Sequence, residues 1–185
     1  GAQGAQKGTA LKHLFSPWYS DTPIDLTNKD RFLVVRGIWG YEVAEFDGYS
    51  RHDATILKAF ISSAVDNYRS PYGKKSGLIP RRVVFAATVN PGPDYLQDET
   101  GGRRYWPVRV GELRPIDAER LKLERELLWA EAREVYRCHV EHCKTQPAAT
   151  SPAKWWPGTQ EEATLCADEQ EARQVRDAWD GPVAV

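Results

Sequence analysis

Val83-Val84-Phe85-Ala86-Ala87-Thr88-Val89-Asn90, preceded by Arg81-Arg82 and closed by Pro91, is the stretch whose reading decides the fold class. Its first five residues are apolar without alternation, which suits a β-strand covered on both faces, as in a parallel sheet; a half-solvated strand would alternate. A strand is therefore expected over residues 82–89. Upstream, Ile56, Leu57, Phe60, Ile61 and Ala64 fall at helical spacing behind Asp53, predicting an amphipathic helix. Residues 38–44, half apolar and bounded by glycines, read as a second strand. Thr27, with Asp30 three residues on, reads as the N-cap of a helix ending at Gly37. Residues 7–15 read as a short helix. Downstream, a loop over 91–104 leads to a further strand at 105–110. A long charged helix follows over 116–143, with Leu121, Leu127, Leu128, Ala132 and Val135 on one side. A linker at 147–157 and a polar helix at 161–177 complete the chain. Strands alternating with helices favour a parallel α/β core followed by a helical region. The expected division is a core over 1–112, a helical extension over 113–146, and a linker with a C-terminal helix over 147–185.

Composition narrows the class without naming a function. The 185 residues allow one ordinary domain and an appended helical piece. Apolar residues at 41% and charged residues at 28% are ordinary globular values. Lys plus Arg (25) nearly balances Asp plus Glu (26), so any nucleic-acid contact must come from local patches. No apolar run approaches the roughly 20 residues a membrane span needs. Three cysteines, an odd number, fit a reduced intracellular protein better than a disulfide framework. Cys138-His139-Val140-Glu141-His142-Cys143 has metal-ligand residue types, but they spread over two helix faces, and no zinc site is expected there.

Four constellations carry chemistry. The first is Gly1-Ala2-Gln3-Gly4-Ala5-Gln6-Lys7-Gly8-Thr9. A phosphate loop needs glycines so that backbone N–H groups can wrap phosphate oxygens, a lysine that reaches the same oxygens, and a hydroxyl for magnesium. The spacing from Gly1 to Lys7 is right, but Gln6 stands where the last glycine belongs. Gly8 replaces the hydroxyl residue, and Thr9 comes one place late. A plain Gly/Ala-rich stretch explains this run nearly as well. The second is Glu42 and Glu45 near the end of the 38–44 strand, where a carboxylate can order hydrated Mg²⁺; the alternative is a solvated strand end. The third is Asn90, whose amide suits sensing of a γ-phosphate or water, or else belongs to an Asn-Pro turn. The fourth is Gly101-Gly102-Arg103-Arg104, a mobile guanidinium pair for phosphate, for DNA or for surface acids.

Taken in order, Trp39, Glu42 and Glu45, then Leu57-Lys58-Ala59-Phe60, Asp66-Asn67-Tyr68-Arg69-Ser70-Pro71-Tyr72-Gly73, Phe85, Thr88 and Asn90, Arg103-Arg104-Tyr105-Trp106-Pro107-Val108 and Leu128-Trp129-Ala130-Glu131-Ala132 resemble the virulence-associated protein E family. The likeness covers nearly the whole chain, weakening after about Gln146. That family is similar to superfamily-three helicases and AAA+ ATPases. The resemblance implies a P-loop NTPase core, with ATP and Mg²⁺ as cofactors. It makes Lys7 the phosphate-binding lysine, assisted by Gly1, Gly4 and Thr9, with Thr9 and Glu42 on the metal. Glu42 or Glu45 would be the acid that polarises water, Asn90 the sensor, and Arg103 or Arg104 a finger. Arg69 would reach nucleotide or a neighbour.

Lys74 and Lys75 fall where related helicases place a hairpin loop that grips single-stranded DNA, or else form a solubilising loop tip. Single-stranded or forked DNA, a homo-oligomeric ring, an upstream primase domain and a cytoplasmic location follow from the same likeness. No membrane is expected. Residue 1 is not methionine and a phosphate loop ordinarily follows a buried strand, so the core is expected to lack its first strand. Because of Gln6 and Gly8, impaired hydrolysis is expected, and a non-hydrolysing DNA-binding or scaffolding module is the alternative.

Overall fold

A computed structural model describes residues 4–28, 30–46, 50–69, 76–90, 96, 105–108, 110, 115–145 and 159–174. Helix α1 (Lys7–Phe15) leads into the two-residue strand β1 (Tyr19–Ser20). A short α2 (Arg31–Val34) precedes β2 (Gly40–Val43), and α3 (Arg51–Ile61) follows it. Strands β3 (Val65–Arg69) and β4 (Ser76–Pro80) form a hairpin, after which the chain enters β5 (Val84–Ala87). Helices α4 (Ala118–Thr145) and α5 (Gln160–Glu171) complete the described elements.

The sheet is parallel, in the order β1-β2-β5. β2 lies in the middle, and all four of its residues are buried. β5, in contrast, is an outer strand among the described residues. Val84 is 58% exposed, so the expectation of a strand covered on both faces is corrected there. Val84 and Thr88 donate their N–H groups to Trp39 and Val43; by alternation the backbone of Phe85 and Ala87 turns to the side away from β2. The core gathers Tyr41, Val43 and Phe46 around β2 with Leu57 and Phe60 from α3 and Leu96.

Local chemistry explains where elements start. Ser50 caps α3 by accepting the Asp53 N–H at 3.2 Å, which starts the helix before the expected Asp53. The expected helix from Thr27 does not form. Asp25 takes both the Thr27 N–H (2.9 Å) and its hydroxyl (2.6 Å), a side-chain turn that consumes the would-be cap. The helix begins only at Arg31, although Gly37, at φ 76°, still marks the reversal that follows it. Residues 105–108 and 110 carry no strand pairing. Tyr105 instead packs its ring on Phe46, centroids 5.5 Å apart, while its carbonyl accepts from Gln170 Nε2 at 2.9 Å.

Helix α4 is fastened to the end of α1. Trp129 Nε1 donates to the Leu14 carbonyl at 2.9 Å, Arg125 donates to Ser16 at 2.7 Å, and the Phe15 and Trp129 rings meet edge-on. The Thr159/Glu162 capping box starts α5, and the chain beyond it bridges Leu96. At the hairpin base Arg81 and Asp66 form a buried ion pair, with Arg81 also lying over the Phe60 ring at 4.4 Å. Among the described residues no helix is long and apolar enough to cross a membrane.

Candidate functional site

An acid in the central strand of a sheet is costly unless donors surround it. Glu42, in β2, is 6% exposed, and both flanking strands supply those donors. From the β5 side, Thr88 Oγ1 donates to Glu42 Oε1 at 2.8 Å. From β1, the Tyr19 hydroxyl donates to Oε2. Burial first, and then the bond to Glu42, push the Tyr19 phenol well above the ordinary value of 10.0, so it remains a donor over the whole neutral range.

The third wall is α1. A Cβ built on Gly8 would lie 3.0 Å from each Glu42 carboxylate oxygen, so the first turn of this helix rests directly on the acid. The first hydrogen bond of the helix runs from Ala10 N–H to Gln6 O at 2.9 Å. The amides of Lys7, Gly8 and Thr9 precede it, and with the helix dipole such amides favour an anion. Two left-handed residues, Gly4 (φ 77°) and Gln6 (φ 56°), shape the entry to this turn. Glycine takes that conformation freely, whereas Gln6 bears a strain of about 1–2 kcal/mol. A predominantly apolar cavity of about 860 Å³ runs beside the same helix, bounded by Lys7, Leu11 and Leu14 of α1 and by β5.

Of the residues expected from the sequence, Gly4, Lys7 and Thr9 lie in the loop and first turn of α1, and Glu42 adjoins that turn. Thr9 is exposed, as is Gly4. Glu45 is exposed in the turn beyond β2, with φ 51°. Asn90 is exposed two residues beyond Thr88, past the carboxyl end of β5. Arg69 pairs through its backbone with Ser76 at the end of the hairpin ladder. Gly1, Lys74, Lys75, Arg103 and Arg104 lie outside the described residues. Sequence reasoning missed Tyr19 as a site residue and passed over Thr88 for Asn90. Thr88 could have been found as the first polar side chain on an otherwise apolar strand. Tyr19 could not, since a strand of two residues has no periodicity.

The arrangement can hold an anion at the α1 N-terminus and a hydrated cation between that anion and the acid. Each Glu42 oxygen keeps one lone-pair direction after accepting its hydroxyl. One carboxylate is enough for magnesium when waters and phosphate oxygens supply the rest. Among the described residues no group of three or more His, Cys, Asp or Glu side chains is placed to hold a metal ion.

These features define an α/β protein whose small parallel sheet presents a buried glutamate to the first turn of a neighbouring helix. The chain belongs to the family described as the virulence-associated protein E-like domain, which it matches over residues 1–175. No curated protein matches it.

Proposed function

We propose that the chain is the ATPase part of a phage- or mobile-element replication protein, an ATP-dependent DNA helicase or translocase working in the cytoplasm. The observation that carries this reading is the contact between Gly8, in the first turn of α1, and the buried Glu42 on the central strand. A phosphate-binding turn and an acid on the adjacent strand are the parts that phosphoryl transfer requires.

Lys7 and the first amides of α1 bind the phosphates of ATP, and Glu42 with Thr9 holds the Mg²⁺. The ion, when bound, neutralises charge on the transferred phosphoryl group. Glu42, fixed by Tyr19 and Thr88, orients the attacking water and accepts its proton at a carboxylate oxygen. Asn90, past the carboxyl end of β5, senses the γ-phosphate. Glu45 stands beyond the site, and Arg103 or Arg104 acts as a finger from a neighbour in a homo-oligomeric ring.

The finer fold in this proposal is a P-loop NTPase core over 1–112. Its support is the side of β5 away from β2, which carries no strand pairing among the described residues; β5 also lines the apolar cavity beside α1. A further parallel strand fits there, since such strands are buried and apolar. Lys74 and Lys75, which lie between β3 and β4 in the sequence, bind single-stranded or forked DNA. An upstream primase domain completes the proposed protein.

A second reading, a DNA-binding scaffold that does not hydrolyse ATP, is favoured by the strained Gln6 and by the missing hydroxyl at position 8. Titration of a fluorescent ATP analogue with Mg²⁺ separates the two. Binding that Lys7→Ala abolishes, together with DNA affinity that changes with nucleotide, supports the motor. A folded protein that ignores nucleotide while binding DNA would refute it and leave the scaffold.

A further inference from the structure

The hydroxyls that hold Glu42 come from neither the phosphate-binding turn nor the acid's own strand. Tyr19 reaches Oε2 from β1, and Thr88 reaches Oε1 at 2.8 Å from just beyond β5. A Cβ at position 8 would stand 3.0 Å from each of the same oxygens, closer than carbon and oxygen comfortably approach. With the carboxylate held there, only glycine fits at that position without a shift. The phosphate-loop pattern places a hydroxyl residue at the same position.

We propose that Tyr19 is a positioning residue for Glu42. Its hydroxyl, together with that of Thr88, pins the carboxylate against Gly8 and supplies from β1 the hydroxyl contact that the loop lacks. Glycine at position 8 and tyrosine at position 19 are thus two halves of one arrangement. This inference rests on reading Glu42 as the acid of the site, and adds the residue that orients it. A neutral donor is suited to the task, because it fixes the carboxylate without competing for charge with a bound cation. The phenol reaches Glu42 from half-buried β1, an element separate from α1, so phosphate at the α1 N-terminus need not displace it.

Two measurements on the full chain test this. The first is thermal melting of Gly8→Ser, Tyr19→Phe and their combination. Gly8→Ser is expected to lower Tm clearly in the parent chain, and less in the Tyr19→Phe background, where the released carboxylate can swing aside. Equal drops in both backgrounds would overturn the proposal. The second is ATP turnover as a function of Mg²⁺ concentration. Tyr19→Phe is expected to leave KM for ATP nearly unchanged, to lower kcat by about 10- to 100-fold, and to raise the Mg²⁺ concentration needed for half-maximal rate. Added to Glu42→Gln, it should produce no further loss, because Tyr19 acts through Glu42. An unchanged kcat and Mg²⁺ requirement, or an undiminished loss in the Glu42→Gln background, would equally overturn it. A parent chain that shows the coupled melting pattern but neither binds nor turns over ATP would refute the ATPase reading alone, and the Tyr19 contact would stand on the melting cycle.

Discussion

Replacing Gly40 with alanine would drive a methyl group into the base of the Phe15 ring. The added Cβ would fall 2.2 Å from Phe15 Cγ, 2.3 Å from Cδ2 and 2.8 Å from its Cβ. Rotating the ring cannot relieve this, because the Phe15 Cβ belongs to the root of the side chain and moves only with α1. The helix must therefore retreat from β2 by about 1 Å to restore ordinary contact, and overpacking of this kind costs about 3 kcal/mol, the upper end of the usual range. A domain of ordinary stability, about 5–15 kcal/mol, would survive with a clearly lowered midpoint.

Phe15→Ala alone removes a buried ring and costs about 3–5 kcal/mol. In that background Gly40→Ala meets only the remaining Cβ at 2.8 Å, and its own cost should fall to about 1 kcal/mol. A double-mutant cycle should thus return a coupling of about 2 kcal/mol. Urea unfolding followed by tryptophan fluorescence measures it, since Trp18, Trp39 and Trp129 cluster beside this contact. Because Lys7 and Gly8 ride on the displaced helix, Gly40→Ala should also weaken binding of an ATP analogue. Parent-like stability of Gly40→Ala, or strict additivity with Phe15→Ala, would refute the packing of α1 on β2 from which the site is built.

Gln6→Gly relieves left-handed strain of about 1–2 kcal/mol but frees the unfolded chain by about 0.5–1 kcal/mol. A net gain near 0.5–1 kcal/mol is expected by chemical denaturation, with tighter ATP-analogue binding. Asp66→Asn leaves the Arg81 guanidinium buried and unmatched, its side chain being 5% exposed; a loss of about 3–5 kcal/mol in thermal or urea melts is expected. The Tyr19 phenol, raised above 10.0 by burial and by Glu42, favours the neutral form in the folded state. Its contribution to stability is complete below about pH 10 and disappears as pH climbs through the folded value. A spectrophotometric titration of the folded chain should show one tyrosine ionising late, a step absent from Tyr19→Phe.

How much of this was legible in the sequence depends on how local the determining forces are. Helix α3 was readable because apolar spacing and a cap act within a few residues, and Leu57 and Phe60 are as buried as their spacing predicts; α1 and α4 also form where expected, but the apolar side read for α4 is exposed at Leu127, Leu128 and Val135. The parallel sheet followed from the alternation of elements. Failures arose where distant partners decide. Thr27 looked like a cap until Asp25 captured its N–H and hydroxyl. Tyr105 looked like part of a strand, but Phe46 and α5 claim its ring and carbonyl. The apolar run of β5 read as covered on both faces, yet exposure depends on which strands lie beside it, and sequence alone does not state that. The site follows the same rule. Glu42 was visible as a strand-end acid, whereas its tyrosine partner lies 23 positions away in sequence and is joined to it only by the sheet.

The sequence left Glu42 and Glu45 as equal candidates for the acid, and their surroundings separate them. Glu42 is buried between two hydroxyl donors, while Glu45 is exposed beyond the end of β2. Glu42→Gln keeps the shape but turns one acceptor oxygen into an NH₂ group, which must face Tyr19 or Thr88. Those hydroxyls can rotate to accept, but then one charge-assisted bond is lost, and a destabilisation of about 1–3 kcal/mol follows. Glu45→Gln changes a solvated side chain and should stay within about 0.5 kcal/mol of the parent. If Glu42 is the acid, its replacement should also reduce ATP turnover to a small but measurable residual rate while leaving analogue binding measurable, and Glu45→Gln should retain turnover. Melts and turnover on the two variants give four readings, and the expectation is that both large effects fall on position 42. A chain in which Glu45→Gln abolishes turnover and Glu42→Gln melts like the parent would refute this assignment, because burial and hydrogen bonding would then have selected the wrong carboxylate.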